Sequence, residues 1–219
     1  MVTNKALYGL RTSGARFHNR LSDVLRELGF EPCKNDGDLW LRDAGDCYEY
    51  ICVYVDDLMA IMKDAKGFFH ILETKYHFKL KGVGVPDYHL GGNFGRDTDG
   101  TLFWGAKTYI QKMMENYKRM FNGTLPKKCS SPMDKDDSPE LDESPNLGPK
   151  GVRIYMSMIG ALQWAVTLGR FDIAVAVMSM SRFRMEPHEG HLVRVQRIYR
   201  YLRANPDAAI KIQDWNSTK

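Results

Sequence analysis

Two adjacent aspartates stand inside the most apolar, β-prone stretch of the chain, Tyr50-Ile51-Cys52-Val53-Tyr54-Val55-Asp56-Asp57-Leu58-Met59-Ala60-Ile61. Such a run belongs in a sheet, where burying two neighbouring carboxylates is costly unless a cation or a proton compensates them. Adjacent residues on a straight strand point to opposite faces, so the pair can serve one site only where the chain bends. The pattern predicts a hairpin over residues 48–55 and 58–62 with Asp56 and Asp57 at its bend. Two readings stay open at this point: an ordinary turn, where aspartate is at home, or a divalent-cation site of the kind that shares magnesium with substrate phosphates.

The frame around this hairpin is that of a globular protein. At 219 residues, 43% hydrophobic and 26% charged, the chain can bury a core in one or two domains, which excludes a disordered tail or a disulfide miniature. No apolar run reaches the ~18 residues of a membrane span, and Met1-Val2-Thr3-Asn4-Lys5 lacks the order of a signal peptide, so an intracellular, soluble chain without a membrane partner is expected. Cys33, Cys47, Cys52 and Cys129 form no CxxC pair, and reduced thiols are expected.

Periodicity divides the chain into an α+β part and a helical part. Phe17, Leu21, Val24, Leu25 and Leu28 recur at helical spacing after Ser13, and Gly29 suits the helix end. Short strands are expected at 39–42 and in the aspartate hairpin, then a helix over 65–76. A second hairpin over 88–94 and 101–104 and a helix over 109–121 follow. This order predicts an antiparallel sheet with helices on one face. Residues 126–150 hold five of the nine prolines, with serines and acids, and read as a flexible linker. Beyond it, helices are expected over 154–166, 173–184 and 188–203, with a tail over 206–219.

The net charge of +4 is modest, but residues 151–204 carry eight arginines, no lysine and three acids. Arg194, Arg197, Arg200 and Arg203 step along the last helix beside the apolar stripe Leu192, Val195, Ile198, Tyr199 and Leu202. That face reads either as a solvated surface or as a contact for phosphates or carboxylates. Other motifs fail on spacing. His188-Glu189-Gly190-His191 sets its histidines three apart rather than four, and Gly91-Gly92-Asn93-Phe94-Gly95 is followed by no GK[ST].

Tyr54-Val55-Asp56-Asp57 resembles the catalytic box of reverse transcriptases, and the blocks around it resemble the copia-type (pseudovirus) retrotransposon branch. These are Lys5-Ala6-Leu7-Tyr8-Gly9-Leu10-Arg11, Asp38-Leu39-Trp40, Phe78-Lys79-Leu80-Lys81-Gly82 and His89-Leu90-Gly91. Residues 155–183 and 191–202 resemble the helical connection that leads toward RNase H in that family.

The resemblance implies a polymerase palm and some thumb over residues 1–125, with a connection segment over 151–205. Asp56 and Asp57 correspond to carboxylates that bind magnesium and act in catalysis. Tyr54 would lie near the primer terminus, Gly9 and Arg11 near the templating base or nucleotide, and Leu90-Gly91 in the loop that grips the primer. Lys79 or Lys81 is the candidate to face the triphosphate, and Arg194, Arg197, Arg200 and Arg203 of the last expected helix are candidates for nucleic-acid contact. Template-primer RNA or DNA and dNTPs are the implied partners, and no obligate protein partner is readable.

Three departures qualify this. The family's third metal-binding aspartate precedes the LYGLK block, where this sequence has only seven residues before Tyr8. Thr12 stands where the family usually has glutamine, and Phe171 replaces the proline expected between Arg170 and Asp172. The expectation is a fragment of an RNA-directed DNA polymerase that is inactive alone; the alternatives are a non-catalytic nucleic-acid-binding remnant and a poorly folded fragment.

Overall fold

Helical spacing of Phe17, Leu21, Val24 and Leu25 produces α1 (Ser13–Glu27) in the structure, a computed structural model that describes residues 12–212. Gly29, at φ +83°, stops the helix and lets Phe30 donate its N–H back to the Leu25 carbonyl, tucking the Phe30 ring into the core. The chain divides into two units, Met1–Val85 and Pro86–Lys219.

In the first unit four antiparallel strands lie in sequence order: β1 (Glu31–Pro32), β2 (Leu39–Asp43), β3 (Tyr48–Tyr54) and β4 (Asp57–Ile61). Along β3 the side chains alternate, with Glu49, Ile51 and Val53 buried and Tyr48, Tyr50 and Tyr54 exposed. The buried face packs with Trp40 against Leu21, Val24 and Leu25 of α1 and against Phe68 and Leu72 of α2 (Ala65–Thr74). Asp64 caps α2 by accepting from the Gly67 N–H at 2.8 Å. The helices thus cover one sheet face, and the tyrosine face stays open among the described residues. The α+β expectation is met; the expected bend is displaced by one residue, as described below.

The second unit has its own four-stranded antiparallel sheet: β5 (Tyr88–His89), β6 (Gly92–Arg96), β7 (Leu102–Gly105) and β8 (Ala209–Ile212). Its helices are α3 (Lys107–Met120), α4 (Pro149–Thr167), α5 (Ala174–Ser181) and α6 (Glu189–Ala204). Ile110, Met113 and Tyr117 of α3 share one core with Tyr155 and Leu162 of α4, Val177 of α5, and Val195, Ile198 and Leu202 of α6.

This arrangement differs from the expected organisation in three respects. The helix over 109–121 belongs to the core of the helical part, not to the aspartate hairpin's unit. Residues 209–212, expected in the tail, pair with β7 through Ile210 and Trp104. Residues 126–150 are not a free linker: Leu147 N–H donates to Pro187 O, Glu189 N–H to Pro145 O, and Arg203 to Pro126 O. Proline, serine and acid content resembles a linker, but here those acids find cationic partners on α6, beyond the reach of local pattern.

Candidate active site

The register of the first hairpin sets the geometry of its tip. Tyr54 pairs with Asp57, leaving Val55 and Asp56 as the two-residue loop, so Asp57 begins β4 instead of sitting in the bend. Val55 has φ +52° and is 69% exposed. A β-branched residue in the left-handed region costs about 1–3 kcal/mol, and such strain gathers at functional sites. Glycine is the usual occupant of that first loop position when only it has positive φ.

Both carboxylates are exposed, in contrast to the burial that the apolar run suggested, because they stand at the tip of the hairpin. They open on a cleft of about 390 Å³ that is also lined by Phe17, Phe78, Lys79 and Lys81. Acidic and basic groups therefore meet in one depression, with both lysine candidates present. Tyr54 is exposed on the open sheet face, directly across from Asp57. Among the described residues no cluster of three or more His, Cys, Asp or Glu could hold a metal ion. Two carboxylates suit a magnesium ion whose remaining ligands are water and substrate phosphates, which is the usual way this ion is held.

Leu90 and Gly91 form the loop between β5 and β6, closed by the His89–Gly92 pair. Gly9 and Arg11 lie outside the described residues. A larger cavity, about 880 Å³, occurs in the second unit beside Tyr88, Phe103 and Lys112. Two of its lysines are already paired, Lys107 with Asp207 at 2.8 Å and Lys211 with Asp97 at 2.6 Å, and it holds none of the expected catalytic residues.

The arginine face of α6 is occupied from within the chain. Arg194 pairs with Asp137 and Asp142, Arg197 with Asp134 and the Ser131 carbonyl, and Arg203 with the Pro126 carbonyl. Arg200 lies between them with its Nε buried. Arg194 and Arg197 thus make carboxylate contacts within the chain. Burial opposes ionisation of Asp142, but hydrogen bonds from Ser144 and Arg194 outweigh it and bring its pKa down to about 2. His191 is likewise committed: Nδ1 accepts the His188 N–H at 2.9 Å and Nε2 faces the Pro139 carbonyl at 2.8 Å. The ring serves the start of α6.

A family profile described as reverse transcriptase (RNA-dependent DNA polymerase) matches residues 1–134. The chain belongs to that family, and within it falls with the copia-type retrotransposon enzymes. It is 30% identical over 211 residues to a transposon Ty5-1 protein of Saccharomyces cerevisiae, covering 94% of this chain and 65% of that protein. It is 28% identical over 214 residues to the retrovirus-related Pol polyprotein from transposon RE1 of Arabidopsis thaliana, covering 97% of this chain and 14% of the polyprotein. The Pol polyprotein from transposon TNT 1-94 of Nicotiana tabacum is 28% identical over 212 residues, covering 91% of this chain and 15% of the polyprotein. No solved structure matches the chain.

Proposed function

We propose that the chain carries part of the polymerase site of an RNA-directed DNA polymerase, with the first unit as palm, the start of the second as thumb and α4 to α6 as connection. The observation that carries this reading is the cleft in which Asp56 and Asp57 stand with Lys79 and Lys81. The carboxylates would hold magnesium together with the phosphates of the incoming nucleotide, and the metal would stabilise the charge that develops in phosphoryl transfer. Lys79 or Lys81 would neutralise the triphosphate. Tyr54, exposed beside Asp57, would meet the primer terminus, and the Leu90-Gly91 turn would hold the primer strand. Gly9 and Arg11 are proposed for the templating side.

A two-metal reaction needs more acidic ligands than two. Asp56 and Asp57 have no third acidic neighbour in a metal-binding cluster among the described residues, and the 219-residue chain is proposed to bind template-primer without extending it. Magnesium-dependent primer extension by the purified chain, with Asp57→Asn as control, tests this. The expected result is duplex binding with no extension by either protein. Extension that Asp57→Asn abolishes would overturn the claim of incompleteness, and failure to bind duplex would overturn the polymerase reading of the site in this chain. The reading of α6 as a purely electrostatic nucleic-acid surface has less support, because Arg194 and Arg197 are paired with Asp134, Asp137 and Asp142.

A further inference from the structure

Leu90 and Gly91 both have positive φ, 48° and 90°, the pattern of a primed two-residue turn whose favoured sequence is Asn-Gly. Leucine there is strained and 42% exposed, so its presence has no local explanation. The turn lies against a seat built from elsewhere in the unit. A Cβ added to Gly91 would stand 3.4 Å from both methyls of Leu168 and 3.5 Å from Trp164 Nε1. One added to Gly92 would stand 1.6 Å from Trp104 Nε1, so no side chain fits there without moving the indole.

Trp164 is the unusual member of this seat. It sits on α4, remains 48% exposed and is outside the buried core formed by Tyr155, Met158, Leu162 and Ala165 of the same helix. Its helix also lies beyond residues 1–134, where the polymerase family profile matches. The Trp164 indole nitrogen thus stands close to Gly91, the residue next to the strained, exposed Leu90.

We propose that Trp164 is a positioning residue for the primer-holding turn: with Leu168 it supports Gly91 from α4 and fixes the presentation of Leu90 to the primer strand. This rests on the reading of Leu90-Gly91 as a primer contact. It makes α4 a working part of primer binding, in addition to its place in the connection.

Anisotropy titrations of a fluorescein-labelled RNA–DNA template-primer test the inference on the full chain. Leu90→Ala and Trp164→Ala are each expected to weaken binding roughly tenfold, the double variant no further than either, and Trp164→Phe within about threefold of the parent. Thermal midpoints should stay level, since Trp164 is half exposed; should Trp164→Ala unfold early, Trp164→Leu takes its place. Loss on Leu90→Ala with none on Trp164→Ala would overturn the positioning role alone. Losses that multiply in the double variant would also overturn it, because Trp164 would then touch the strand independently. No loss on Leu90→Ala, or no binding by the parent, would overturn the primer reading of the turn and the role of Trp164 with it.

Discussion

Arg194 of α6 donates through Nε to Asp137 at 2.9 Å and through Nη1 to Asp142, reaching back 57 and 52 residues along the chain. This one guanidinium fastens the proline-rich segment to the helix. The Asp142 side chain is only 7% exposed, and its pKa is about 2, below the ordinary value of about 4. A carboxylate whose pKa is depressed on folding stabilises the protein above its unfolded pKa. That contribution disappears as pH falls from about 4 to about 2. Acid unfolding followed by tryptophan fluorescence should therefore steepen across this window in the parent and lose that component in Asp142→Asn. Arg194→Met should open residues 126–150 to limited proteolysis at neutral pH.

Arg170 is 1% exposed and bound by Asp172 through two contacts, 3.0 Å from Nε and 2.7 Å from Nη2. Removing the carboxylate leaves a buried, uncompensated charge. Asp172→Ala should cost about 3–5 kcal/mol in urea unfolding of the second unit, whereas substituting both partners together should cost less. A loss below ~1 kcal/mol for Asp172→Ala would mean that the guanidinium escapes to water.

Val55 holds a left-handed backbone at the tip of the aspartate hairpin. Val55→Gly removes that strain and adds the entropy of glycine, so the balance should favour the variant by up to ~1 kcal/mol. A rise in thermal midpoint checks it; a clear fall would show that the valine side chain contributes more than its exposure suggests.

Gly92 and Gly160 should respond in opposite directions to alanine. At Gly92 a Cβ meets the Trp104 indole, and overpacking of this kind costs about 1–3 kcal/mol. Gly160 lies in α4 with nothing within 4 Å of the new methyl, and alanine there should stabilise the helix by about 1 kcal/mol. Equilibrium unfolding of the two variants separates local crowding from helix propensity.

Much of the fold was legible in sequence because it is written in local periodicity. The α1 stripe, the alternation of Glu49, Ile51 and Val53 with the tyrosines, and the α6 stripe are short-range signals of burial. The hairpin was legible to within one residue: aspartate favours turns in general, but cross-strand pairing of Tyr54 with Asp57 decides which residues form the loop. The role of residues 126–150 was not legible, since a pairing such as Asp137 with Arg194 leaves no periodic trace in the chain. The seat under Leu90-Gly91-Gly92 was legible only as a turn with close backbone approach, because its walls, Trp104 against Gly92 and Trp164 against Gly91, come from different elements. Diglycine at 91 and 92 was the available signal, and close approach of backbone to a neighbour was its meaning.

The shared core of α3 with α4, α5 and α6 determines where this chain can be cut. A fragment that stops at residue 134, where the family profile ends, would keep Ile110, Met113 and Tyr117 but discard the Tyr155, Ile198 and Tyr199 side chains that bury them. Such a piece would present a greasy helix to solvent and would aggregate before any property of its polymerase residues could be measured. Separation between 85 and 86 instead leaves each hydrophobic cluster whole, so the unit that evolution carries as a sequence family and the unit that folds have different ends.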